Sequence, residues 1–146
     1  MAMTMIEGIS AAVKPSNGTD ALMNYIGGKW IESRAAEYLP VMNPSVGQQI
    51  AKVPLSTSAD IVDAVRSARN ALTGWSNTPI KERAQVFFKY KTLMERHMQS
   101  LAELVHTENG KTMSEATAEV EKSIEVTEFA CSMPQLVAGE ILEVSK

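Results

Sequence analysis

Glu108-Asn109-Gly110-Lys111-Thr112 is the stretch on which the reading of this chain turns, because it closes one long helical pattern and opens another. Asn-Gly is a helix-end signal. Glycine takes the left-handed conformation that caps a helix, and a lysine beside it complements the freed carbonyls. Upstream, apolar residues recur at helical spacing as Ala84, Phe87, Phe88, Leu93 and Met94, then Leu101, Leu104 and Val105. About thirty residues is long for one globular helix, so a break near His97 is expected. Downstream, Ala116, Val120, Ile124, Val126, Phe129 and Ala130 predict a helix from about Met113 to Cys131, ended by Pro134.

Further toward the amino terminus, Ser58 reads as an N-cap with Asp60 in the first turn. Ile61, Val62, Val65, Ala68 and Leu72 supply that helix's apolar stripe, and Gly74 reads as its stop. Thr78-Pro79 offers the next helix a cap residue and a proline at its first position. Before Ser58 the period is that of strands. Asn24-Tyr25-Ile26 and Lys29-Trp30-Ile31 flank Gly27-Gly28, a two-residue connection suited to a tight hairpin. Tyr38–Met42 and Gln49–Val53 flank Asn43-Pro44-Ser45-Val46-Gly47, a second hairpin with a longer turn. Pro40 belongs on an edge, since it cannot donate to a ladder. Residues 1–23 read as a flexible leader, and Leu136–Leu142 as the start of a strand. The helical stripes need more surface to cover than two hairpins provide. They pack on one another or on a sheet from elsewhere.

Bulk properties narrow the class. At 146 residues the chain is one domain or part of one. A net charge of −3 argues against a nucleic-acid surface, which shows a basic face. No apolar run reaches the roughly 18 residues of a membrane span. The start lacks the pattern of a secretory or Arg-rich transit segment. The single cysteine excludes an internal disulfide framework and fits a reducing cytoplasm.

Chemistry-bearing residues are few. Cys131 follows an apolar helix, whose carboxyl end disfavours a thiolate, and it reads as a packed thiol. His97 and His106 are nine apart, off the i, i+4 spacing of a metal pair. Glu103 and Glu108 flank His106 as part of a solvated face. Glu115, Glu119, Glu121, Lys122, Glu125 and Glu128 form a charged stripe of the same kind. Gly27-Gly28 lacks the third glycine and the helix start of a phosphate loop. No catalytic, cofactor-binding or metal-binding residue is assigned.

As an ordered set, Gly27-Gly28-Lys29-Trp30, Asn43-Pro44 with Gly47, Val53-Pro54, Trp75, Arg83 and Glu108–Thr112 resemble the aldehyde dehydrogenase superfamily over Asn24–Lys146. Val53–Thr57, Phe88-Lys89-Tyr90 and Glu128-Phe129-Ala130-Cys131 before Met133-Pro134 are similar to the methylmalonate-semialdehyde dehydrogenase branch. The resemblance implies an α/β fold. This piece would supply two β-hairpins and three to four amphipathic helices of a split Rossmann-like domain. Residues 24–134 would be the amino-terminal part of the NAD-binding domain, and 135–146 the start of an oligomerisation hairpin. It implies a parent enzyme that oxidises malonate or methylmalonate semialdehyde with NAD, releases carbon dioxide and passes the acyl group to coenzyme A. Such enzymes are homo-oligomers, here expected as a cytoplasmic homotetramer, and act in valine breakdown among other routes. Family chemistry uses a thiolate nucleophile, a general base and an oxyanion hole. No residue of this chain matches those motifs, and Cys131 does not inherit the nucleophile's role. The piece alone is therefore expected to be inactive, to bind NAD very weakly and to pack loosely. Two other readings stand beside it: a stand-alone, non-catalytic helical binding module, and the start of a dehydrogenase for another aldehyde.

Overall fold

The computed structural model describes residues 21–137 and residue 139. Among the described residues, four strands are followed by five helices. The strands are β1 (Asn24–Ile26), β2 (Lys29–Ile31), β3 (Tyr38–Asn43) and β4 (Gln48–Pro54). The helices are α1 (Ser58–Asn77), α2 (Ile80–Arg96), α3 (Met98–Asn109), α4 (Met113–Cys131) and α5 (Met133–Leu136). The chain divides into two compact units. Among the described residues, a hairpin unit holds residues 21–73 together with Thr107–Gly110. A helical unit holds Gly74–His106 and the described residues from Lys111 onward.

In the hairpin unit, β1 and β2 pair antiparallel, with Gly27 and Gly28 at φ +62° and +79°. Positive φ at both central residues gives the turn whose twist matches the strands. Tyr25 and Trp30 stand opposite each other with ring centroids 4.9 Å apart. β3 and β4 form a separate two-stranded sheet, so Pro40 does lie on an edge strand. Their connection is an Asx turn. The Ser45 amide donates to Asn43 Oδ1 at 3.0 Å, and the Gly47 amide to the Asn43 carbonyl at 2.9 Å. Ala21, at the end of the stretch read as a leader, makes a parallel bridge to Lys52. Gly110 ends α3 at φ +69°, the capping conformation the sequence anticipates. A Cβ there would lie 3.0 Å from Pro44 Cγ, so the second hairpin's turn sits directly on the glycine.

The helical unit is built on small side chains. Ala102, Ala116 and Val120 are its buried cluster, with Met98, Leu101, Val105, Met113 and Ile124 packed around them. α2 lies along α4, and α5 touches both. Thr112 begins α4 with a reciprocal capping box. Its hydroxyl accepts from the Glu115 amide, and Glu115 accepts from the Thr112 amide at 2.9 Å.

Several expectations require correction. The cap of α1 is Thr57 rather than Ser58, because Asp60 three residues on completes a capping box with Thr57. Gly74 does not stop α1, which runs to Asn77. An interior glycine costs a helix only about 1 kcal/mol, and the Thr78 hydroxyl donates to the Gly74 carbonyl at 2.9 Å. That bond takes Thr78 away from capping, and Pro79 occupies the N-cap of α2. On α4, Val126 and Phe129 face outward, and Thr127 and Cys131 hold the inner positions. Phe88 likewise points away from the α2 stripe of Ala84, Phe87 and Met94. Pro134 lies inside α5, where a proline in the first turn gives up no helical hydrogen bond. Leu136 ends that helix rather than beginning a strand. Most of the expected 135–146 hairpin, like residues 1–20 of the leader, lies outside the described residues. The break at His97 is as expected, with φ −107° and ψ 15° between α2 and α3.

Candidate functional site

The densest polar constellation is built on Asp60 in the hairpin unit. It is the one buried charged side chain among the described residues, 6% exposed. The first turn of α1 aims it back at its own cap and at the connection between β2 and β3. The Thr57 amide donates to Oδ2 at 2.9 Å, the Ser33 hydroxyl at 2.8 Å and the Thr57 hydroxyl at 3.0 Å. The Arg34 amide lies 3.3 Å from the same oxygen. The Thr57 amide foremost, then the Ser33 and Thr57 hydroxyls, hold the carboxyl below the usual carboxylate range, against the opposing pull of burial. Outside this hub, the Arg34 guanidinium donates to Asp63 at 2.7 Å, and Arg66 to the same carboxylate at 2.9 Å. Asp63 is the main reason the Arg34 guanidinium is raised above its ordinary value.

Two open clefts adjoin α1. One, of about 240 Å³, is lined by Asn24, Tyr25, Ile26, Ser56, Asp60 and Ile61. The other, of about 390 Å³, runs over Ile61, Val62, Val65, Arg66, Arg69 and Asn70. Ile61 and Leu72 are 58% and 60% exposed, so the apolar stripe of α1 is formed but uncovered.

The residues singled out in sequence do not converge. Cys131 is buried and free at the end of α4. His97 caps α2, with a buried Nε2 that has no hydrogen-bond partner. His106 donates through Nδ1 to the Lys111 carbonyl. Glu103 takes a bond from Gln99, and Glu108 is exposed. The glutamate stripe is dispersed over separate partners. Glu115 serves the cap, Glu119 meets Lys111, Glu125 meets Lys122 and Glu128 lies 3.7 Å from Lys91. Lys91 also binds Glu95 at 2.7 Å, which chiefly raises its pKa. Among the described residues no three His, Cys, Asp or Glu side chains gather as a metal site. No helix among them is long and apolar enough to cross a membrane.

A dinucleotide's phosphates need free amides at a helix start or a glycine-rich cradle. Here the starts of α1 and α4 are filled by the chain's own carboxylates, Asp60 and Glu115. α2 begins at Ile80 behind the N-cap Pro79, with no glycine-rich loop before it. The glycines at positive φ sit in hairpin turns and at a helix end. Among the described residues no glycine-rich cradle opens a helix.

What the arrangement does match is a known scaffold. The model of the aldehyde dehydrogenase family fits residues 30–146. The chain belongs to the aldehyde dehydrogenase family. Against malonate-semialdehyde dehydrogenase 1 of Geobacillus thermodenitrificans (strain NG80-2), this family member is 45% identical over 127 residues, 87% of the chain and 26% of that protein. Among solved aldehyde dehydrogenases, methylmalonate-semialdehyde dehydrogenase from Oceanimonas doudoroffii superposes with a TM-score of 0.79 at 30% identity, over 83% of this chain and 25% of that one. An NAD-dependent benzaldehyde dehydrogenase from Corynebacterium glutamicum superposes with a TM-score of 0.77 at 28% identity, over 85% and 27%. The chain thus spans about a quarter of the length of the relatives it matches. The ordered motifs of the sequence carry this kinship correctly. Sequence reasoning missed the Asp60 hub, although Thr57-x-x-Asp60 is itself a capping signature.

Proposed function

We propose that this chain is the amino-terminal part of an NAD-dependent, CoA-acylating malonate- or methylmalonate-semialdehyde dehydrogenase. The supporting observation is the 45% identity to a malonate-semialdehyde dehydrogenase across 87% of the chain. The whole enzyme would convert semialdehyde, NAD and coenzyme A to acetyl-CoA or propanoyl-CoA, carbon dioxide and NADH. Its reacting groups would lie in the three-quarters of the relatives' length that this chain does not span. Residues 24–134 would contribute scaffold to the NAD-binding domain and 135–146 an oligomerisation element of a cytoplasmic homotetramer. By itself the chain would be inactive.

The test is to isolate the protein from its source cells with an antibody raised against α1–α4, size it, and assay NADH formation. Malonate semialdehyde, methylmalonate semialdehyde and benzaldehyde would each be supplied with and without coenzyme A. The expected result is a mass several times 15.9 kDa and CoA-dependent turnover of a semialdehyde. Turnover indifferent to coenzyme A would overturn the acylating reading. A second reading, oxidation of a different aldehyde, draws on the similar superposition with the benzaldehyde enzyme. It predicts preference for that substrate in the same assay. An inactive 15.9 kDa product would favour a stand-alone binding module instead.

A further inference from the structure

We infer that Asp60 is a latch, and that residues 32–36 form a strap which it fastens to α1 and which opens on its own when the latch is released. The strap lies in the link between β2 and β3, ahead of Glu37, and belongs to neither sheet. Among the described residues, the hydrogen bonds that carry it to α1 end on Asp60 and Asp63. The Ser33 hydroxyl and the Arg34 amide reach Asp60, and the Arg34 side chain reaches Asp63. Ser33 also accepts from the Ala35 amide at 3.1 Å, so the strap's own turn is organised around the hydroxyl that Asp60 holds. The Arg34–Asp63 pair is a surface contact, with the arginine side chain 59% exposed, and surface pairs hold little against solvent. The strap therefore hangs on the buried carboxylate.

The neighbouring elements have fastenings of their own. Asn24 Nδ2 donates to Ser56 Oγ at 2.9 Å, and Gly27 rests against Ser67 on α1. β3 is paired to β4 along its length. Opening the strap breaks none of these contacts. It is a local opening of the kind drawn from the low-stability end of a fold.

Trypsin cutting after Arg34 reads the opening directly, and cutting after Lys52 on β4 or Arg69 on α1 reports unfolding of the hairpin unit as a whole. Ser33→Ala removes the hydroxyl and leaves the Thr57–Asp60 capping box whole. Asp60→Asn weakens every bond to the hub. Both variants of the intact chain should be cut after Arg34 about tenfold faster or more than wild type, since cleavage follows the population of the open form. Cutting at Lys52 and Arg69 should keep its wild-type rate in Ser33→Ala. Should Asp60→Asn unfold broadly, all sites will accelerate together and Ser33→Ala decides. Wild-type cutting after Arg34 in Ser33→Ala overturns the inference.

Discussion

The two units of this chain are closed in opposite ways. In the helical unit the buried positions among the described residues are Ala84, Met94, Ala102, Ala116, Val120, Thr127 and Cys131, mostly small side chains that let helices approach closely. In the hairpin unit the buried positions among the described residues are Pro54 and Asp60. Its large apolar residues remain substantially exposed, among them Tyr25, Trp30, Ile61, Val62, Val65 and Leu72. One unit has a core of its own. The other is fastened by a carboxylate and by tight turns, and presents its apolar surface outward. Under the proposed function, further protein would cover the outward apolar face of the hairpins and α1.

The contrast can be broken hardest at the alanines. Ala102 and Ala116 are both 0% exposed. Ala116→Leu inserts three heavy atoms where helices meet and should cost about 1–3 kcal/mol, read as a lower urea midpoint of the helical signal. The equivalent change at Ala68 on the exposed stripe of α1 should leave that midpoint unchanged. Equal losses at both positions would erase the distinction between the units.

Next in size is Gly110→Ala. A non-glycine residue at φ +69° costs roughly 1–2 kcal/mol, and the new methyl meets Pro44. The loss should fall in the hairpin unit, as faster hydrogen exchange in the Asn43–Gly47 turn. A wild-type exchange rate there would mean that the turn does not depend on the glycine.

Acid should distinguish the units by site. Asp60 and Glu115 both have carboxyl pKa values lowered by folding, the first chiefly by the Thr57 amide and the second by the Thr112 hydroxyl. Their contribution to stability is complete above the unfolded carboxylate range, near pH 4, and is lost as pH falls through the folded values. In a Trp75→Phe background, Trp30 emission reports the hairpin unit. Its acid transition should shrink in Asp60→Asn and persist in Glu115→Gln. The reverse pattern would contradict the assignment of Asp60 as the hub. The smallest effect belongs to Lys122→Ala, which removes an exposed pair with Glu125 and should not move the melting temperature measurably.

The ledger of what sequence made legible follows the same division. Local chemistry was readable. Gly27-Gly28 specifies its turn, Gly110 its cap, and the helix over Met113–Cys131 was anticipated with its limits. Rotational phase was less so. An apolar count favours Val126 and Phe129, but the inner face of α4 is chosen by what α2 presents, and α2 takes Thr127 and Cys131. The hub was least legible, because it joins Ser33 to Asp60 across 27 positions through polar residues that read singly as turn and cap. As for chemistry, the residues a reader would first suspect, Cys131, His97 and His106, are held in separate packing and capping roles.

The most direct measurement of the account is a calorimetric titration of this 146-residue chain with NAD. If the chain is scaffold whose helix starts are filled by Asp60 and Glu115, no saturable heat appears at micromolar NAD. Saturable micromolar binding would mean that the cofactor site lies within these residues, and would contradict the division of labour proposed here.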